Sequence, residues 1–129
     1  MSTLKFNKVF NSFSVNDLEA AFNFYGNILQ LNVSKLPMNV LRLNIPGNEH
    51  GMIIYEKDNH EPASYTVLNF DVDEVEKAVD ELVTRGIVFE HYDSGPLKTD
   101  NKGICRGSGP VIAWFKDPAG NFLSILSEK

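Results

Sequence analysis

Trp114-Phe115-Lys116-Asp117-Pro118-Ala119-Gly120-Asn121-Phe122-Leu123-Ser124-Ile125-Leu126 reads as a strand, a tight turn and a second strand. Pro118 presets the backbone angle for the first corner of a turn, and Gly120 can take the positive φ needed further round. Asp117 and Asn121 can hydrogen-bond to the turn backbone, and apolar residues flank the turn on both sides. A hairpin at this place closes a sheet, and the elements before it say what kind of sheet.

Residues 6–15 alternate Val9, Phe13 and Val15 with Phe10, Ser12 and Ser14, the pattern of a strand buried on both faces and partly polar on one. Asn16 followed by Glu19 predicts a capping box. Leu18, Ala21, Phe22, Tyr25, Ile28 and Leu29 then recur at helical spacing, which predicts an amphipathic helix over 17–28. Leu31–Leu36, Val40–Ile45 and Gly51–Glu56 read as three strands, separated by Pro37 and by Pro46-Gly47-Asn48. Residues 57–64 are polar and aperiodic, as in a linker.

The same order then repeats. Tyr65–Val72 reads as a strand, and Asp73 with Glu76 as a second cap. Val75, Ala78, Val79, Leu82 and Val83 form a helical stripe ended by Gly86, and Val88–Tyr92 reads as the next strand. Sliding the first half forward by 57 residues superposes Phe13 on Phe70, Val15 on Val72, Leu18 on Val75, Glu19 on Glu76 and Ala21 on Ala78. Cap, stripe and alternation fall in one phase, which supports a duplication more than the identities do. The expected fold is α+β: two βαβββ modules, 4–57 and 64–129, within a single domain over 1–129.

The totals fit this scheme. The chain has 129 residues, enough for one domain with a core, and is 43% hydrophobic. Its net charge is -5 with both signs interspersed, so no basic stripe points to nucleic acid. An acidic excess suits a cationic ligand as well as mere solubility. A single cysteine, Cys105, excludes an internal disulfide and a thiolate zinc site. The N-terminus lacks the shape of a signal peptide, and no apolar run approaches the ~20 residues of a membrane span. The expectation is a cytoplasmic protein with no membrane partner.

Val15-Asn16-Asp17-Leu18-Glu19 with Phe24-Tyr25, and Asp117-Pro118-Ala119-Gly120-Asn121 at the other end, resemble the opening and closing motifs of the vicinal oxygen chelate superfamily, the glyoxalase, bleomycin-resistance and extradiol-dioxygenase group. The resemblance spans nearly the whole chain and implies that each module is a curled mixed sheet with a helix on its outer face and a cavity on the concave side, and that a homodimer closes the concave faces. Enzymes of this group hold a divalent metal at four cavity positions, where it polarises a substrate oxygen. The matching positions here are Phe10, Ile53, Val67 and Ser124, none a strong ligand, and a slip of one residue reaches only Asn11, Met52 or Leu68. His50, His60 and His91 are scattered over a loop, the linker and a strand. The reading is therefore of no metal and no cofactor.

Alternation places Phe10, Ser12, Val67, Asn69, Phe122 and Ser124 on the cavity side, with Ile53, Tyr92 and Trp114 beside them. Such a lining is apolar with a few polar groups, as small-molecule sites are. Arg42 either holds an anionic group there or faces solvent. The Gly- and Pro-rich segment Asp93–Pro110 carries Lys98, Cys105 and Arg106, and is long enough to serve as a lid over the site or as a surface loop. The reading favours a homodimeric protein that binds a small aromatic or cationic ligand in an interface cavity without metal and without catalysis. The alternatives are a metal-dependent glyoxalase-like lyase, isomerase or dioxygenase with an atypical site, and a dimeric interaction module whose cavity is filled.

Overall fold

The computed structural model describes residues 4–107 and 109–128. They divide into two compact units, one ending at His60 and the other starting at Glu61.

In the first unit, β1 (Asn11–Val15) runs parallel to β4 (Met52–Glu56). β4 pairs antiparallel with β3 (Val40–Asn44), and β3 with β2 (Asn32–Leu36), giving the order β1-β4-β3-β2. On β1, β3 and β4 the alternate residues Phe13, Val15, Leu41, Leu43, Met52 and Ile54 are buried. They pack with Ala21, Phe24 and Tyr25 of the helical segment, whose Tyr25 ring meets Phe13 edge-on at 6.0 Å and Phe24 at 5.1 Å. Burying each such apolar side chain is worth about 1.5–3 kcal/mol, so this face holds the unit together.

The helix departs from its expected course at both ends. Asp17, not Asn16, is the N-cap: its carboxylate accepts the Ala20 N–H at 3.2 Å. The Leu18 N–H donates to the Glu56 carboxylate at the end of β4, 2.8 Å away, which ties the helix start to the sheet. α1 (Leu18–Phe22) then widens into a π-helical segment, Asn23–Ile28, where the Leu29 N–H reaches back to the Phe24 carbonyl at 2.9 Å. Phe24 and Tyr25 are both buried, three and four residues on from buried Ala21.

In the second unit, β5 (Thr66–Asp71) runs parallel to β8 (Phe122–Ser127), followed by β7 (Val111–Lys116) and β6 (Ile104–Cys105), all β7 pairs being antiparallel. α2 (Val75–Thr84) buries Val75, Val79 and Leu82, while Val83 stays half exposed. Its N-cap is Glu74 rather than Asp73, and the Glu74 side chain makes no capping hydrogen bond. Gly86, at φ 93°, reverses the chain so that the Ile87 N–H returns to the Leu82 carbonyl. Both units are thus βαβββ in order, and the fold is α+β as expected.

The strand expected over Val88–Tyr92 does not form. Phe89 makes one antiparallel bridge to Phe115, and the Glu90 N–H donates to the Trp114 carbonyl at 2.8 Å. Past Glu90 the chain turns away, because the Tyr92 N–H and carbonyl bond Thr99 instead. The edge position is filled by Ile104 and Cys105, drawn from the segment expected to be loop. His91 accordingly lies outside any strand. No helix among the described residues is long and apolar enough to cross a membrane.

The closing turn is built as its residues demand. The Asp117 carboxylate accepts N–H bonds from Ala119 (3.0 Å) and Asn121 (2.8 Å) and a side-chain amide bond from Asn121 (3.1 Å). Gly120 sits at φ 86°, and a Cβ there would lie 2.9 Å from Pro62. The Asn121 side-chain carbonyl accepts the Ala63 N–H at 3.2 Å. The turn therefore also docks the segment that enters β5.

Candidate functional site

Each sheet has one face against its helix and one face without it, and the functional candidates lie on the second. In the second unit the open face presents Phe122 and Ser124 of β8 and Trp114 of β7, in register with Thr66 and Asn69 of β5. A cleft of about 340 Å³ forms there, lined by Ser64, Tyr65, Thr66, Tyr92, Leu97, Trp114 and Phe122. That volume is at the low end of the range for small-ligand sites. Tyr92 and Trp114 meet edge-on at 5.8 Å, a preferred aromatic geometry that holds both rings. Lys116 lies 5.1 Å from the centre of the Phe122 ring, a cation–π contact.

Tyr92 is held where its backbone meets Thr99, whose hydroxyl accepts the Tyr92 N–H at 2.9 Å. Burial, aided by the charge of Glu90, pushes the Tyr92 phenol above its ordinary value, so it stands as a neutral hydroxyl through the physiological range. The residues between Tyr92 and Thr99 form a short loop closed at its base, and Leu97 from that loop becomes one wall of the cleft.

The sequence placed Tyr92, Trp114 and Phe122 near a cavity, and all three line this cleft. Asn69 and Ser124 lie one register step away, bonded to each other: the Ser124 hydroxyl donates to the Asn69 side-chain carbonyl at 2.6 Å, and Ser124 is fully buried. Val67 is displaced from the position expected for it. A bulge between Thr66 and Leu68 pairs Thr66 with Phe122 and Leu68 with Leu123, leaving Val67 as the extra residue and giving its place on the open face to Thr66. Tyr65, Ser64, Thr66 and Leu97 were not singled out from the sequence. The aromatic Tyr65, first residue of the strand expected over Tyr65–Val72, is the one available signal.

Lys98 and Arg106 border a separate hollow of about 500 Å³ with Gly95, Pro96, Thr99, Asp100 and Ile104. Asp100 organises it. Burial raises its carboxyl, but the N–H donors of Ile104 and Lys102 and the Arg106 guanidinium outweigh burial and hold it below the ordinary carboxylate value. Arg106 and Lys102 also pair with Glu76 and Asp80 on α2, fastening the segment to the helix. Cys105 is not a surface lid residue: it is buried in β6, with its Sγ 3.7 Å from the Pro96 carbonyl.

In the first unit Ser12, Ile53 and Arg42 stand side by side in one register row on the open face. Phe10 precedes β1 and is half exposed. Ser14, on the same face as Ser12, is hydrogen-bonded to His60 Nδ1 at 2.7 Å.

The residues on these faces do not suit a divalent metal. The four matched positions hold Phe10, just before β1, Ile53, the bulge residue Val67 and Ser124, whose hydroxyl is engaged with Asn69, and none of these side chains is a strong ligand. Among the described residues, no three His, Cys, Asp or Glu group closely enough to hold an ion.

Comparison with known proteins agrees with the fold. The family model of the glyoxalase/bleomycin resistance protein/dioxygenase superfamily matches residues 6–125. Similar solved structures include an antibiotic binding protein from Streptomyces sp. CB03234, at 22% identity and a TM-score of 0.67, covering 95% of this chain and 97% of that one. A glyoxalase/dioxygenase from Nostoc punctiforme is 21% identical with a TM-score of 0.64, covering 100% of this chain and 98% of that one. A superfamily member from Sphaerobacter thermophilus DSM 20745 is 21% identical with a TM-score of 0.65, covering 94% and 98%. No curated protein matches significantly. The chain belongs to the glyoxalase/bleomycin resistance protein/dioxygenase superfamily.

Proposed function

We propose that this chain is a binding protein of its superfamily which takes a small aromatic ligand, neutral or cationic, without metal and without catalysis. It acts as a single domain of two modules and as a cytoplasmic homodimer, with a second copy covering the open sheet faces. The observation that carries the reading is the aromatic cleft. Tyr65, Tyr92, Trp114 and Phe122 supply flat apolar surfaces, while Ser64 and Thr66 supply hydroxyls, and the strand positions that would carry metal chemistry hold residues that do not ligate. Flat rings stack on such walls, and a ligand cation gains from the electron-rich ring faces. Ser12, Arg42 and Ile53 stand on the first unit's own open face, and Lys98 and Arg106 border the separate hollow, outside the cleft that carries this reading. One solved structure of this fold is an antibiotic binding protein, which accords with a sequestering role.

The test uses the single tryptophan. Trp114 lines the cleft, so its fluorescence should change on titration with a flat aromatic cation such as ethidium and with a neutral flat aromatic such as an anthraquinone. Saturable quenching that survives chelator treatment, by a protein whose solution mass is that of a dimer, is the expected result. Binding or turnover that requires one divalent ion per chain would overturn the metal-free reading.

A further inference from the structure

The open face of the first unit's sheet is sparing with charge. Its strand positions alternate with the buried ones, and they carry Arg42 as their one charged side chain and no carboxylate, in a chain of net charge -5. Arg42 makes no hydrogen bond or ion pair among the described residues, and its Nε is buried without a partner. Its stem is held in place rather than free in solvent. A Cβ on Gly51, which stands at φ 74°, would lie 2.9 Å from Arg42 Cγ and 3.1 Å from Cδ, so the arginine stem lies against the glycine backbone. With Nε covered, the terminal nitrogens are the edge left for a partner.

Polar groups stand in register on both sides. Ser34 is paired with Arg42 across β2 and β3, and Ile53 separates Arg42 from Ser12 on β4 and β1. The Ser34 oxygen accepts the Asn44 side-chain amide at 3.0 Å, so its own hydroxyl hydrogen remains to donate to an anion. A held cation without a counter-ion, beside a free hydroxyl donor, is half of a charge-assisted hydrogen-bonded pair.

We propose that this face is a binding site for a small carboxylate, held end-on by the Arg42 guanidinium with the Ser34 hydroxyl beside it. The planar fork of an arginine matches the two oxygens of a carboxylate, and Ile53 next to it offers apolar surface to the body of the same molecule. The inference rests on the first unit alone and does not depend on the aromatic cleft of the second.

The test is a titration of the ¹⁵N-labelled chain with sodium benzoate, acetate, phosphate or sulfate at constant ionic strength, following the Arg42 Nε–H resonance in the wild type and the backbone N–H resonances of residues 34, 42 and 53 in the wild type and every variant. Saturable movement with benzoate, weaker with acetate, is expected, and Arg42→Lys should weaken benzoate about tenfold because it keeps the charge but loses the fork. Ile53→Glu leaves Arg42 in place and supplies an internal counter-charge, so it should also abolish the response. Non-saturating shifts, or equal shifts in the Arg42→Lys variant, would overturn the proposal. So would saturation by phosphate or sulfate without benzoate, or a resonance that moves only with protein concentration, which would assign Arg42 to a second copy of the chain. Because Trp114 is not the probe, a failure here is distinguishable from a failure of the aromatic cleft.

Discussion

The Asp117 carboxylate and the Asn121 side-chain amide lie 3.1 Å apart inside the closing turn, both almost fully buried. Their pairing joins two strands and, through the Asn121 carbonyl and the Ala63 N–H, the segment that leads into β5. A buried carboxylate is tolerated here because it accepts bonds from two backbone N–H groups and one amide, which replace the water it gave up.

Replacing Asp117 with Ala should therefore be severe. It strands the N–H groups of Ala119 and Asn121 in the interior, and a loss of about 3 kcal/mol is expected. A urea unfolding curve of Asp117→Ala against the wild type checks it; a midpoint unchanged within error would contradict this account of the turn.

Gly120→Ala probes backbone conformation and close approach together. The residue stands at φ 86°, and its new methyl would meet Pro62 at 2.9 Å. Destabilisation of about 1–3 kcal/mol is expected from the strained φ and the displaced proline. The companion change Gly47→Ala, at φ 92° with nothing within 4 Å, isolates the conformational share and should cost less.

In the cleft, Phe122→Ala should weaken a flat aromatic ligand by about tenfold, the scale of one lost ring contact. It keeps Trp114 as the fluorescent reporter, so the dissociation constant can be read directly. An unaltered affinity would place the ligand elsewhere.

The pH dependence of stability should carry the mark of Asp100. Its folded carboxyl ionises more readily than the ordinary value of 3.8, so the unfolded chain binds the proton more tightly. The contribution is present above the ordinary value and is lost as pH falls through the lower, folded one. Asp100→Asn should flatten the acid limb of a stability–pH profile measured by thermal unfolding, while leaving neutral pH less affected than Asp117→Ala does.

Tyr92 acts at the opposite end of the scale. The folded phenol holds its proton above the ordinary 10.0, so its stabilisation persists up to that value and declines as pH rises through the raised one. A spectrophotometric phenol titration of wild type against Tyr92→Phe should show the loss of one tyrosine that ionises above the ordinary 10.0. Retention of that transition in the variant would assign it elsewhere.

The amino-acid sequence alone determined the elements whose causes are local. The alternation of Phe13 and Val15, the stripe Val75-Val79-Leu82 and the residues of the 117–121 turn act within a few positions of themselves, and each forms where its pattern says. The repeated order of elements, and hence the family, followed from them. Tertiary structure alone decided what depends on partners distant in the chain. Glu56 on β4 meets the Leu18 N–H at the start of the helix that Asp17 caps, although Asn16 is as good a capping type. Ile104 and Cys105 win the edge of β7 from the more strand-like Val88–Tyr92, because Thr99 captures the Tyr92 backbone. The bulge at Val67 passes its place to Thr66, and Leu97 reaches the cleft only because the loop before Thr99 is closed at its base. Periodicity records which face a residue prefers; it does not record which of two competing backbone partners is near enough to be chosen.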